Sequence, residues 1–377
     1  MEGILKLLQE SGFAGLGLGN ILMFVIGGVL IYLAITKKYE PLLLIPIGFG
    51  IVLANLPAAM MSAKDGGGII FFIYESTIHN VSLLPPVIFL GVGVLTDFRP
   101  LLARPLTFLL GAAAQLGIFV AAIGAYYLLG FHANEAASIG IIGGADGPTS
   151  IFLTSKLAPE LLGPVAVAAY SYMSLVPIIQ PPIMRMLTTK AERAIDMPQA
   201  KSVSKTAVIL FPIITGILAS LAIPSAAPLL GMLMFGNLLR ECGVTDRLKK
   251  TAGGSLIDIV TIFLGLSVGA TMPAEFFLTT KTLGILLLGA IAFSFSTAGG
   301  VLFGKLLNLF LPSGKKINPC IGAAGVSAVP MAARVVQDFV SKQTEGRVNP
   351  LMPAMGPNVA GVIGSAVAAG VFLTLLG

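Results

Sequence analysis

Along the chain, long apolar runs alternate with short polar breaks. Twelve runs can be delimited, at roughly 17–36, 41–61, 81–96, 105–130, 137–158, 163–187, 205–222, 226–242, 255–272, 282–311, 318–340 and 352–376. They are continuous rather than alternating, and their lengths suit helices crossing a hydrocarbon core about 30 Å thick. A transmembrane barrel would show shorter segments of alternating polarity separated by turns. Two runs stand apart. Segments 137–158 and 318–340 are rich in Gly, contain an internal proline (Pro148 and Pro330) and hold polar residues at mid-depth. Irregular backbone of that kind survives in a membrane only when it is buried in protein or faces a wet cavity.

Composition agrees with the pattern. Of 377 residues, 56% are hydrophobic and 11% charged, with no Trp, whereas soluble domains carry about a quarter charged residues. The chain reads as an all-α polytopic membrane protein. No small-residue cleavage site follows a short apolar core near the start, so no removable signal peptide is expected. The net charge of +6 sits mostly in loops, which membrane topogenesis explains; a nucleic-acid partner would need a clustered basic face, and none occurs. Cys242 and Cys320 are isolated in the sequence and read as small buried residues rather than as a disulfide or metal pair. "GLGLGN" at 15–20 has no βαβ unit around it, and no Walker lysine motif occurs, so neither dinucleotide binding nor ATP hydrolysis is expected. His79 and His132 are the only histidines, which leaves a His metal centre or a Ser-His triad without support.

The two halves echo each other. "GFGIVLANL" ending at Leu56 resembles "GMLMFGNLL" around Asn237, "FLGVGVLTDFRPLL" from Phe89 resembles "FLGLSVGATMPAEFF" from Phe263, and "IGGA" at Ile142 resembles "IGAA" at Ile321. The offsets are 182, 174 and 179 residues, in the same order; three matches in register indicate an internal repeat. Positive charge then decides its sense. If 137–158 and 318–340 each dip in and return on one side, then Lys37-Lys38, Arg99 with Arg104, the 185–205 loop, Arg247 with Lys249-Lys250, and Lys315-Lys316 all fall on one side. That side is the cytoplasm by the positive-inside rule. Each half then has five crossings plus one re-entrant segment, and an odd number inverts the second half. The expected organisation is a first inverted repeat at 1–190 (broken segment 137–158), a basic cytoplasmic linker at 191–204 and a second repeat at 205–377 (broken segment 318–340), with both termini outside. Paired Gly/Pro-interrupted segments in inverted repeats mark the midplane site of many ion-coupled transporters.

"IGIIGGADGPTSI" at 139–151 sets a lone carboxylate, Asp146, among glycines and Pro148. A charge at the bilayer centre costs at least ~2.5–3.5 kcal/mol, so an intramembrane carboxylate is a functional candidate by default. Its oxygens, with the carbonyls freed by the break, suit a hard monovalent cation. "ADGP" is also good turn chemistry, and a turn Asp at the membrane edge is the plainer alternative. In the second break, "INPCIGAAGVSAVPMAARVVQD", Asn318 and Ser327 supply neutral oxygens while Pro319 and Pro330 free carbonyls. Asn318 equally suits a helix N-cap before proline, and Ser327 equally suits small-residue packing. Arg334, the strong cation on the run after Pro330, is either a counter-charge or a side chain snorkelling to the interface. Tyr172 reads as an interfacial aromatic or a cavity-lining phenol, Asn358 as a further amide oxygen, and Asn55 and Asn237, at equivalent places in the two halves, as polar helix–helix contacts or cavity lining. Asp97 reads as a cap at the interface beside Arg99. On these residues alone, a Na+-coupled secondary transporter (an organic-anion symporter or a cation/proton antiporter) fits as well as any other ion-coupled machine. A scaffold has no use for paired mid-membrane breaks with a carboxylate, and a channel would usually build its pore around a subunit axis.

Three stretches go further. "GGADGPTSIF", "NPCIGAAGVSAVPMAARVVQ" and "GPNVAGVIGSAVAAGV", with "PPVIFLGVGVLTDFRPLLARP", resemble the β subunits of the bacterial sodium-pumping biotin-dependent decarboxylases acting on oxaloacetate, methylmalonyl-CoA or glutaconyl-CoA. The likeness covers nearly the whole chain, which in length is closer to the methylmalonyl-CoA and glutaconyl-CoA members. The resemblance implies a multi-pass protein of the bacterial inner membrane. It also implies Na+ as the transported ion and biotin, held covalently on a partner, as the carboxyl carrier. The partners it implies are a biotin carrier subunit, a carboxyltransferase α subunit, a small membrane anchor subunit and further copies of the chain, in contact with membrane lipid. In that family the β subunit decarboxylates carboxybiotin and moves Na+ outward, consuming a proton from outside. Carried onto this sequence, Asp146 becomes a Na+ ligand, joined by Asn318, Ser327 and, less securely matched, Asn358. Asp146, Tyr172, Ser327 and Arg334 serve catalysis, with Ser327 also implicated in proton exchange. Arg334 faces incoming carboxybiotin, and Gly143, Gly144, Gly147, Pro148, Gly322 and Pro330 shape the site. Moving one charge against 100 mV costs ~2.3 kcal/mol, and with no nucleotide or redox motif on the chain, that energy must come from a partner.

Overall fold

The computed structural model of the chain describes residues 11–64, 66–197 and 202–377, and every regular element among them is helical. In chain order the principal helices are α1 (Leu18–Lys37), α2 (Pro41–Ala54), α3 (Leu84–Leu95), α4 (Thr107–Ala114), α5 (Leu116–Leu128), α6 (Ala133–Gly140), α7 (Gly147–Leu157), α8 (Leu162–Leu187), α9 (Lys205–Ala222), α10 (Ala227–Glu241), α11 (Ile257–Ala270), α12 (Thr280–Phe310), α13 (Met331–Gln343) and α14 (Leu351–Leu376). The polarity pattern locates them closely: run 205–222 coincides with α9, and run 226–242 exceeds α10 by one residue at each end. Run 105–130 divides into α4 and α5 at Gln115. Runs 137–158 and 318–340 are both broken, as their Gly and Pro content predicts.

Among the described residues, seven helical stretches are long and apolar enough to cross a membrane, eight if the bent pair formed by 69–79 and α3, angled at 68°, counts as one. The expected five spans per half exceed what length alone supports. α2 has 14 residues, about 21 Å at 1.5 Å per residue, short of the ~30 Å core, and α3 and α10 are similarly short. α1 and α9 bury least of their apolar surface, and Val25, Val29, Ile214, Ile217 and Leu221 all point outward. In water such faces would need a partner; in a bilayer lipid covers them.

The short helices pair across the two halves. α2 lies along α11, and α3 along α10. Asn55, at the end of α2, donates from Nδ2 to the Met272 carbonyl just beyond α11 (2.9 Å) and accepts the Ala274 N–H at Oδ1 (2.8 Å). Asn237, near the end of α10, donates to the Thr96 carbonyl at the end of α3 (2.9 Å). Each asparagine therefore satisfies a carbonyl that the end of its partner helix leaves open. At the α3–α10 end, Glu241 is buried and accepts from Arg99 and, at 3.0 Å, from Arg240; Arg99 also pairs with Asp97.

The long helices hold the broken segments. α5 packs on residues 141–144 and α12 on residues 319–325. The contacts are glycine on glycine in both places. A Cβ added to Gly143 would lie 2.6 Å from the Gly117 carbonyl carbon, and one added to Gly322 would collide with the Gly300 carbonyl. Cys320 is buried and Cys242 half-buried, and both are free thiols.

Candidate cation site

The first break is built from three short pieces. α6 tightens into a 3-10 turn at Ile141–Gly144, Ala145 takes the left-handed conformation (φ 53°), and Asp146 turns the chain into α7 as its N-cap. Pro148 sits in the first turn of α7, where its missing N–H costs nothing. Asp146 Oδ1 accepts the Thr149 N–H at 3.1 Å, and the Asp146 carbonyl takes the Ser150 N–H and hydroxyl at 2.9 and 2.8 Å. Turn chemistry and a buried charge are thus the same feature: the carboxylate lies at a helix N-terminus, where the dipole favours an anion, and is only 6% exposed. Gly147 lies against the ring of Tyr170, leaving no room for a side chain.

The second break stays irregular for longer. Asn318 caps a 3-10 stretch at Pro319–Gly325, the backbone is extended at Val326, and α13 starts after Pro330. Three carboxamides from three other helices hold its carbonyls. Gln180 of α8 donates to Ala323 O (2.7 Å), Gln115 at the α4–α5 joint to Gly325 O (3.2 Å), and Asn358 of α14 to Val326 O (2.7 Å). The side-chain oxygens of all three are buried and have no hydrogen-bond partner. An unmet buried polar atom costs about 1–3 kcal/mol, and these three oxygens, on three different helices, are acceptors beside the second break.

The breaks meet directly. The Ser327 N–H donates to Gly144 O (2.9 Å). The Ser327 hydroxyl donates to Ser365 Oγ (3.0 Å), and the Ser365 hydroxyl donates to Asp146 Oδ2 (2.7 Å). One carboxylate, two hydroxyls and the Gly144 carbonyl therefore converge where the breaks meet. Among the described residues no group of three His, Cys, Asp or Glu occurs, and hard oxygens without nitrogen or sulfur suit an alkali or alkaline-earth cation rather than a transition metal. With a single carboxylate, charge balance favours a monovalent ion.

The other expected site residues sit elsewhere on this frame. Asn318 uses Nδ2 on Arg193 O and Ile195 O (2.9 and 3.2 Å) and Oδ1 on the Cys320 N–H. It fastens the second break to the 188–197 loop, and among the described residues no hydrogen bond joins it to Asp146. The Tyr172 hydroxyl donates to Leu286 O of α12, and its ring lies against Gly289. Arg334 is exposed on α13, one turn before Asp338 and two before Lys342. Those two residues line a groove of about 300 Å³ with Arg185, Pro177, Pro181 and Phe339. Beside it, Glu192 of the 190–193 turn pairs with Lys305 (3.3 Å). Partial burial works against its charge, but hydrogen bonds from Thr189 and the Lys305 ammonium outweigh it and hold the carboxyl below its usual range.

Four residues escaped the sequence reading: Ser365, Gln115, Gln180 and Tyr170. Gln115 and Gln180 carried a usable signal, since each is an uncharged amide inside a long apolar run. Ser365 carried none, because serine is common where helices pack closely. Tyr170 and Tyr172 lie two positions apart, about 200° around a helix, and sequence does not say which faces the break.

A family model described as Na+-transporting oxaloacetate decarboxylase beta subunit matches residues 19–376. The methylmalonyl-CoA decarboxylase subunit beta of Propionigenium modestum is 54% identical over the whole of both chains. The glutaconyl-CoA decarboxylase subunit beta of Acidaminococcus fermentans is 54% identical over 99% of this chain and 97% of its own length. The oxaloacetate decarboxylase beta chain 2 of Salmonella typhimurium is 51% identical over 99% of both. Full-length similarity at this level, on a chain with at least seven helices able to cross a membrane, makes it a multi-pass membrane protein of the Na+-transporting oxaloacetate decarboxylase beta subunit family.

Proposed function

We propose that this chain is the membrane subunit of a Na+ pump in a bacterial inner membrane, that it decarboxylates carboxybiotin presented by a biotin carrier subunit, and that it couples this to outward Na+ movement with uptake of a proton. A carboxyltransferase α subunit, a small membrane anchor subunit and further copies of the chain complete the complex. Loss of CO2 breaks the N–CO2 bond of carboxybiotin and requires one proton at the ring nitrogen, and that proton is the one drawn from outside.

The single observation that carries this reading is the Ser327–Ser365–Asp146 chain, which joins a buried carboxylate on one break to a hydroxyl on the other. Na+ sits between Asp146 and the oxygens of the second break, with Asn358 Oδ1 as a further ligand. Asn318 and Gly322 hold the second break in place, and Gly143, Gly144, Gly147, Pro148 and Pro330 shape the two breaks. A carboxylate with a cation beside it stays ionised, and burial without one favours the protonated form, so proton and Na+ exclude each other. Arg334, with Arg185 and Lys342 on the same side, attracts the carboxylate of incoming carboxybiotin, and the groove's Pro177, Pro181 and Phe339 suit its apolar stem. Tyr172 braces α8 against α12 beside the path.

The fold that serves this is two inverted repeats, 1–190 and 205–377, joined by a basic linker at 191–204; residues 1–10, 65 and 198–201 lie outside those described. The crossed pairs α2–α11 and α3–α10, the matching roles of Asn55 and Asn237, and the glycine contacts Gly117–Gly143 and Gly300–Gly322 support the repeat. α2, α3 and α10 then complete five spans per half, in a bilayer thinned or covered locally by neighbouring helices. The identities, 54% to the methylmalonyl-CoA and glutaconyl-CoA chains against 51% to the oxaloacetate chain, favour an acyl-CoA as substrate.

The test is the complex reconstituted in liposomes. Wild type should release CO2 from carboxybiotin only with Na+ present and should accumulate Na+, and Asp146→Asn should lower both at least 100-fold. A chain that carries Na+ without a biotinylated partner captured on avidin would instead be a secondary transporter.

A further inference from the structure

Ser365 occupies the only side-chain link between the charged break and the neutral one in the hydrogen-bond chain described above. It is fully buried and lies on α14, a helix outside both breaks. Its single hydroxyl proton has two acceptors within reach: Asp146 Oδ2 at 2.7 Å and the Val362 carbonyl one turn back on α14 at 3.1 Å. The Ser327 hydroxyl donates to it from the other side at 3.0 Å. A serine back-bonded to its own helix is a satisfied residue, and a serine donating to a carboxylate makes a stronger, charge-assisted bond. This hydroxyl has both options, and a rotation about the C–O bond exchanges them.

We propose that Ser365 is a positioning residue for Na+, a two-position hydroxyl that holds the carboxylate when the ion is away and coordinates the ion when it is present. With the site empty, the proton points at Asp146 Oδ2 and fixes the carboxylate toward the second break. When Na+ binds beside Asp146, the proton turns to Val362 O and a lone pair of Oγ faces the ion. The second lone pair of the same oxygen keeps the Ser327 hydroxyl, so occupancy of the charged break reaches the neutral break through one atom. The inference rests on the reading of Asp146 as the Na+ residue and adds a ligand and a coupling element to it.

The experiment is a Na+ titration of the purified full chain in detergent, choline chloride replacing NaCl at constant ionic strength, read as the Na+-dependent rise in thermal midpoint. Ser365→Ala removes the hydroxyl, Ser365→Cys keeps the volume with a poor ligand for a hard cation, and Ser365→Thr keeps the oxygen. The expected result is a half-saturating Na+ concentration raised about tenfold in both Ala and Cys, the loss of one bond to a charged group. Ser365→Thr should remain within about threefold of wild type and melt near it in choline, whereas Ala and Cys should melt lower there, because Asp146 Oδ2 loses its hydroxyl donor. Ala and Cys within about twofold of wild type would overturn the proposal, as would Cys matching wild type while Ala shifts, since that pattern reports volume alone. If Ala does not fold, the Cys and Thr pair decides. Asp146→Asn, run in parallel, separates the two claims: an unchanged Na+ response there removes the site itself, whereas a lost response beside unaltered Ser365 variants removes only the role of Ser365.

Discussion

At 141–146 the chain leaves its helix for one 3-10 turn and one left-handed residue, and a carboxylate closes the gap by capping the next helix. At 318–330 it stays irregular for twice as long, carries no charge, and three carboxamides from α8, the α4–α5 joint and α14 hold its carbonyls. The two segments, matched in the repeat proposed above, solve the same backbone problem with different chemistry. A short break can be met by one ionised group because a helix N-terminus stabilises it, whereas a long one leaves several carbonyls open, and charging it as well would set like charges facing each other. One negative break and one neutral break together are what the proposed site for a single monovalent cation requires.

Substitutions can break that comparison at several strengths. The largest effect is expected at the glycine contacts. Gly322→Val drives a side chain into the Gly300 carbonyl and should abolish Na+-dependent decarboxylation, with little folded protein recovered in detergent by size-exclusion chromatography. Asn358→Leu should come next. It leaves the Val326 carbonyl buried and unpaired, a loss of about 1–3 kcal/mol, and removes a candidate Na+ oxygen, so both the thermal midpoint in choline and the Na+ affinity should fall. Gln180→Leu sharpens the contrast: it frees Ala323 O alone and should lower the midpoint while shifting Na+ half-saturation less than threefold.

The smallest effect is expected outside the membrane. Glu192 is held below its usual range, chiefly by Thr189 and Lys305 against a partial-burial penalty. A carboxyl depressed in the folded state contributes stability above its unfolded pKa and loses it as pH falls through the folded value, so the 188–197 loop should loosen below about pH 4.5. Hydrogen exchange at residues 190–195, corrected for intrinsic rate, should rise across that window in wild type, and Glu192→Gln should exchange at the faster rate throughout.

The fold was legible to the extent that burial in lipid dictates it. Continuous apolar runs marked most of the helices to within a few residues, although run 41–61 overshoots α2 by seven and no run covers the helical stretch 69–79; Gly with Pro marked both breaks. The number of spans was less so, because α2, α3 and α10 are apolar but short, and hydropathy does not register helix length against bilayer thickness. Asp146 was legible because charge at depth is costly and rare. Ser327 was found through its place in a motif, and its partner Ser365 was not, since a hydroxyl's role depends on which of several neighbours it faces. Asn318 shows the opposite limit: its position beside proline suited a cap and a ligand equally, and its side chain caps Cys320 N–H while donating to the Arg193 and Ile195 carbonyls.

The central claim is that one Na+ is shared between the two breaks. A high-resolution structure of the complex in Na+, compared with one in choline, tests it most directly. The account predicts ion density in Na+ alone, bounded by the Asp146 carboxylate on one side and by oxygens of 325–328, Ser365 or Asn358 on the other. Density held by residues of a single break, or an ion bound away from Asp146, would contradict it.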